Sequence, residues 1–148
     1  MIVRDIEIIP LTTSRRQALV DLLAGENLPV RDLPEEPEHF FVAIRQGKVV
    51  GGIGLETYGS FGLLRSLVVH PDWRNQKIAD ALVLQLEELA VYLGLDSLFL
   101  LTETAPHYFE RKGFAFITRN EVPEALKHSS EFSNVCPQSA MVMKKMLK

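Results

Sequence analysis

At 148 residues, with 47% hydrophobic residues, 24% charged residues and a formal net charge of -3, the chain has the balance of one ordinary globular domain. That charge, without a long basic run, argues against a general nucleic-acid binder, although an anionic ligand needs only a local patch. A single cysteine, Cys136, excludes an intramolecular disulfide and a cysteine-rich metal site, and His39, His70, His107 and His128 lack metal-ligand spacing.

The opening MIVRDIEIIP is too short and too charged for a signal peptide, and no apolar run reaches membrane-spanning length. A cytoplasmic location without membrane partners is therefore expected. Val3 to Ile9 reads as a strand stopped by Pro10. Thr12, Thr13 and Ser14 offer N-caps to an amphipathic helix through Leu19, Leu22 and Leu23. Residues 25–37, rich in proline and acids, predict a loop or broken helix, suited to a flap on the substrate side. HFFVAIR and KVVGGIGLE, joined at Gln46-Gly47, predict a hairpin whose second strand ends at Glu56 and bends at Gly51, Gly52 and Gly54. A TYGS turn then leads to the strand FGLLRSLVV. After a turn at Asp72–Asn75, Ile78, Leu82, Leu86, Leu89 and Leu93 predict a long helix stopped by Gly94. Asp96–Leu101 predicts a strand parallel to the one before that helix. Thr104 is the expected cap of a short helix ending at Lys112, followed by a strand at Phe114–Ile117, a loop with a short helix, and a closing strand from Ser139 to Met146. The whole predicts one mixed α/β domain over residues 1–148, with a central sheet flanked by helices.

The most informative stretch is LLRSLVVHPDWRNQKIADALVLQLEEL. An apolar strand feeds a tight turn and then a helix with a small residue near its start. Helix N-termini carry unpaired N–H groups and partial positive charge, which suit a phosphate. Arg74 and Lys77 add cations, Ala79 admits a bulky ligand, and Ile78, Leu82 and Leu86 form a core stripe.

This stretch resembles the GNAT superfamily, the acetyl-CoA-dependent N-acetyltransferases. Leu67-Val68-Val69 is similar to the family strand end that pairs with the pantetheine arm. Arg74-Asn75-Gln76-Lys77-Ile78-Ala79 is similar to the loop and helix start that hold the pyrophosphate. Lys77 stands at the first motif glycine: a positive φ there would cost the lysine, whereas a helical φ would leave its N–H able to reach a phosphate. A second block, Phe109-Glu110-Arg111-Lys112-Gly113-Phe114, resembles the family helix that approaches the CoA thiol, which implies a cofactor contact at Phe109. LLRSLVV, LLTETA, YFERKGF, EVP and FSNVCPQSA together are similar to acetyltransferases associated with arsenic-resistance gene clusters. The TETA to YFERKGF portion also resembles the catalytic domain of N-acetylglutamate synthases.

Acetyl transfer to an amine requires removal of a proton, polarisation of the thioester and protonation of the departing thiolate. Glu56 is the candidate proton acceptor, with a turn carboxylate or an Arg65 partner as its other reading. Arg65, inside an apolar strand, calls for a carboxylate or phosphate: it either clamps an amino-acid carboxylate or pairs with Glu56. The family tyrosine position holds Phe109, which has no acidic proton. Tyr108, about 100° away around the helix, is the alternative general acid, or else an edge aromatic with water supplying the proton. Thr102 and Thr104 are candidate acceptor-side residues, and His107 and Cys136 weaker ones. The expected activity is acetyl transfer from acetyl-CoA to a primary amine of a small molecule, such as an amino acid or amino-acid-like toxin. A catalytically weak acyl-CoA-binding protein and a protein lysine or N-terminal acetyltransferase are the alternatives. A homodimer is compatible with all three.

Overall fold

Strand alternation and two helix-ending glycines account for much of the architecture. In the computed structural model, residues 5–30, 33, 38–129, 132 and 140–148 are described. The elements run β1 Glu7–Pro10, α1 Arg16–Gly25, β2 Phe40–Arg45, β3 Lys48–Tyr58, β4 Phe61–Val69, α2 Ile78–Tyr92, β5 Ser97–Thr102, α3 Pro106–Arg111, β6 Ala115–Ile117, α4 Glu124–Lys127 and β7 Met141–Met146. The strands form a seven-stranded sheet in the order β1-β2-β3-β4-β5-β7-β6. Strands β4 and β5 pair in parallel, from Phe61↔Ser97 to Leu63↔Phe99. The β1–β2, β2–β3, β5–β7 and β6–β7 pairs are antiparallel. The predicted closing strand is thus not at the edge: β7 lies between β5 and β6. Its start is shorter than expected, and Ser139 and Cys136, like Val3, lie outside the described residues.

The described residues group into two compact units, Met1–Leu55 with Ser66–Leu89, and Glu56–Arg65 with Ala90–Lys148. In the first, Phe40, Val42 and Ile44 alternate along β2 onto one face. They pack with Leu19 and Leu23 of α1, and with Leu11, Leu33 and Val68. The expected irregularity of β3 is present as a register shift against Ala43/Ile44, where Val50 is passed over. Glycines 52 and 54 serve a different end, close approach: a Cβ on Gly52 would stand 2.4 Å from Leu19 Cδ1, and one on Gly54 2.4 Å from Phe40 Cε2.

In the second unit, Leu63, Phe99 and Val142 of three neighbouring strands pack with Val122, Leu126 and Phe132. Phe61 meets Phe99 edge to face. Here the helix stop expected at Gly94 is explicit. Gly94 has φ +78, its N–H donates to Val91 O, and Leu95 N–H donates to Ala90 O at 3.0 Å. This crossed pair is a Schellman motif, which needs the left-handed residue that glycine supplies. The buried stripe of α2 follows i+4 steps to its end, 78, 82, 86 and then Ala90, while Leu93 is 39% exposed. Of the expected continuation, Leu89 lies within α2 and is half-buried, whereas Leu93 lies one residue past the last helical residue.

Gly54→Ala is expected to cost about 1–3 kcal/mol by overpacking against the Phe40 ring. Gly25→Ala, where an added Cβ meets nothing within 4 Å, should instead be neutral or stabilise by about 0.5 kcal/mol. Urea unfolding of both variants checks the contrast.

Candidate active site

The turn between β4 and α2 lies in the first unit. After Val69, a single 3-10 turn at Pro71–Trp73 is held by Trp73 N–H donating to His70 O at 2.8 Å and Asp72 N–H donating to His70 Nδ1 at 3.1 Å. Arg74, Asn75, Gln76 and Lys77 follow, all exposed. Asn75 and Lys77 both adopt left-handed backbone, φ +64 and +63. The Lys77 carbonyl accepts from Ala81 N–H at 3.2 Å, so Lys77 caps the helix and Ile78 opens it. An α-helix leaves its first four N–H groups without an intrahelical acceptor, and these carry the positive end of the helix dipole. Ile78 is buried with Leu82, and both reach the space over Gly51, where a Cβ would stand 3.2 Å from Leu82 Cδ1. Leu67 and Val69 are half-buried around the buried Val68.

Arg74 is not idle in this turn. Its Nε donates to Val69 O at 3.4 Å, and its NH2 pairs with Glu26 at the end of α1. Glu26 was invisible in the sequence reading because 48 residues separate it from Arg74. The turn fits an anionic ligand by exposure, helix polarity and the cations of Arg74 and Lys77. Such a ligand competes with the Glu26 carboxylate for Arg74, and Asp72 and Asp80 oppose it with like charge.

A second cluster lies in the second unit. Arg65 has a side chain 0% exposed, and its NH1 donates to Glu56 Oε2 at 3.2 Å. Of the two roles open to Arg65, the geometry shows the ion pair; a direct clamp on a ligand carboxylate is inconsistent with a guanidinium so fully covered. Glu56 is 22% exposed and is not the end of its strand, because β3 continues through Tyr58. Tyr58 Oη donates to Glu56 Oε1 at 3.0 Å. Burial first, and the Glu56 charge second, push the Tyr58 phenol from 10.0 up to about 12. Tyr58 was missed by the sequence reading, although the signal was there: residues two apart on a strand share a face.

On α3, Phe109 is 6% exposed and packs edge to face against Phe114 at 5.7 Å. Phe114 N–H donates to Phe109 O and Gly113 N–H to Glu110 O, so these rings are the apolar contact of a second Schellman motif. Phe109 is core. Tyr108 is half-buried, 5.2 Å from the Phe109 ring, with Lys112 Nζ 5.5 Å from its centroid. Thr104 is exposed and does not cap the helix. Thr102, buried, accepts from Ala105 N–H at 3.1 Å ahead of the helix, and no side chain among the described residues caps α3. His107 is exposed and pairs with Glu110.

Residues 36–115 match the acetyltransferase (GNAT) domain family. The chain belongs to the GNAT family. All the candidate site residues from Glu56 to Phe109 lie within the match. The family is one of acetyltransferases, as the motifs implied. The amino-acid acetyltransferase of Pseudomonas aeruginosa is 33% identical over 95 residues, 63% of this chain and 22% of that protein. The chain thus spans about a fifth of the length of the curated relatives it matches. N-acetylglutamate synthase from Neisseria gonorrhoeae, crystallised with coenzyme A and L-arginine, superposes with a TM-score of 0.80 at 18% identity, over 95% of this chain and 33% of that one. A Mycobacterium tuberculosis protein crystallised with CoA gives 0.78 at 24% identity, over 96% and 99%. These structures share the fold.

Against the GNAT motif, Lys77 takes the glycine position with the positive φ that glycine adopts without strain. The left-handed conformation costs an L-residue roughly 1–2 kcal/mol, partly offset by the lower unfolded-state freedom of lysine. Lys77→Gly is therefore expected to raise stability by about 0.5–1 kcal/mol in denaturant unfolding. An unchanged or lower midpoint would mean that the lysine makes a compensating contact.

Proposed function

We propose that this GNAT domain, over residues 1–148 and in the cytoplasm, acetylates the primary amine of a free amino acid or amino-acid-like small molecule. The observation that carries this reading is the local match to amino-acid acetyltransferases, 33% identical over 95 residues. Leu67, Val68 and Val69 supply backbone to the pantetheine arm. The turn from Arg74 to Ala79 receives the pyrophosphate, with Arg74 exchanging Glu26 for phosphate.

Glu56 is the proton acceptor in this reading. The amine nitrogen attacks the thioester carbonyl carbon, its surplus proton passes to the Glu56 carboxylate directly or through water, and the C–S bond breaks. The departing thiolate takes a proton from the Tyr108 hydroxyl or from water. A partly exposed carboxylate is accessible to solvent and amine, whereas the covered Arg65 acts on the acceptor through Glu56. Thr104 is better exposed than Thr102 for an acceptor contact. The motif likeness to the arsenic-resistance branch supports a toxin bearing an α-amino group as one acceptor.

Two observations favour a second reading, a weakly catalytic acyl-CoA-binding protein: the strained Lys77 at the motif glycine, and the buried phenylalanine at the tyrosine position. An assay of acetyl-CoA consumption over free amino acids, simple amines and short peptides separates the readings. Turnover on amino acids supports the proposal. CoA binding without turnover supports the second reading, and peptide preference points to protein acetylation.

Glu56→Gln is expected to lower kcat by about 100-fold or more while leaving CoA affinity within about twofold. Arg74→Ala should weaken CoA binding by roughly tenfold, and Glu26→Gln should strengthen it, because the competing carboxylate is gone. Calorimetric titration with CoA checks both. An unaltered affinity in Arg74→Ala would move the phosphate site elsewhere.

A further inference from the structure

The Glu56 carboxylate does not stand alone against Arg65. Tyr58, two residues along β3, donates its hydroxyl to Glu56 Oε1 at 3.0 Å, while Arg65 from β4 donates to Oε2 at 3.2 Å. Each carboxylate oxygen is thus tied by one donor. The hydroxyl of Ser129, a buried residue just past α4, lies near the phenol and opposes the rise of its pKa. Ser129 is itself anchored, accepting from Phe132 N–H at 3.4 Å. The chain Ser129, Tyr58, Glu56, Arg65 lies wholly within the second unit.

We infer that Tyr58 is a positioning residue for acetyl transfer: its hydroxyl holds the Glu56 carboxylate in the orientation that proton abstraction uses. The inference rests on the reading of Glu56 as proton acceptor for its kinetic consequence, and on geometry alone for the hold itself. An ionised carboxylate has about four acceptor sites, so one donor on each oxygen leaves capacity for an incoming proton. Arg65 alone would leave the second oxygen free to rotate or to be solvated. Tyr58 removes that freedom with a donor that stays protonated, since its phenol ionises only near 12. Among the described residues, the titratable and charged groups bonded to Glu56 are Arg65 and Tyr58.

Tyr58→Phe removes the hydroxyl and keeps the ring. Its expected signature is a kcat about tenfold lower with the KM for the amine within about twofold, measured on the full chain. A merely structural role would lower stability and leave the kcat of the folded protein unchanged. The reciprocal measurement uses Glu56→Gln. Loss of the neighbouring charge should bring the Tyr58 phenol down from about 12 towards its ordinary value, followed by tyrosinate absorbance. This second arm stands even if Tyr58→Phe does not fold. A Tyr58 titration unmoved in Glu56→Gln, or a kcat unmoved in Tyr58→Phe while Glu56→Gln abolishes turnover, overturns the inference. If the Tyr58 titration falls in Glu56→Gln but turnover survives in both variants, the hold stands and the assignment of Glu56 as proton acceptor falls.

Discussion

A guanidinium with no solvent-exposed surface imposes the strongest constraint on this molecule. Arg65 cannot shed its charge, and an unpaired buried charge costs several kcal/mol. Its position between Leu64 and Ser66 on β4 therefore demands an acceptor within reach, and the adjacent strand provides one in Glu56 at 3.2 Å. The pair is asymmetric: the cation is covered and the anion is partly open. That asymmetry turns a structural requirement into a chemical opportunity. A carboxylate already fixed on one side by a buried cation, and on the other by a phenol, presents its remaining acceptor capacity in a defined direction.

The phosphate turn follows a different logic, one of backbone rather than side chain. Two left-handed residues within three positions, Asn75 and Lys77, reverse the chain sharply before Ile78 opens α2. Asparagine tolerates that conformation better than most residues, and lysine does not. Retention of a glycine-like conformation by a lysine shows that the turn is dictated by its surroundings, not by local preference. Those surroundings are the bonds at His70 before the turn and the burial of Ile78 over Gly51 after it. The cations that flank the turn are thereby presented on a fixed backbone, with Glu26 serving as the counter-ion of Arg74.

Much of this was legible from residues alone where the physics is local. The periodicity of α2, the glycine stop at Gly94, the parallel strand after the helix and the GNAT motif order all depend on neighbours within a few positions. So does the departure at Lys77, whose two possible conformations could be named though not chosen. Errors gathered where a boundary or a partner depends on distant chain. Thr104 does not cap α3, and the strand instead delivers the Thr102 hydroxyl to Ala105 N–H just ahead of the helix. Glu56 was placed at a strand end, yet β3 continues to Tyr58 and thereby brings the phenol beside it.

By itself the sequence determined the family, the α/β class and the residues able to bind an anion or accept a proton, since these rest on residue chemistry and short-range spacing. Only the tertiary structure decided which of those residues meet. It assigned Arg65 to Glu56 rather than leaving it open to a ligand, buried Phe109 against Phe114, gave Arg74 a carboxylate 48 positions away, and revealed Tyr58 as the second hand on Glu56. The reason is that charge neutralisation and ring packing are satisfied by whatever the fold brings within a few ångströms, and separation along the chain carries no record of that distance.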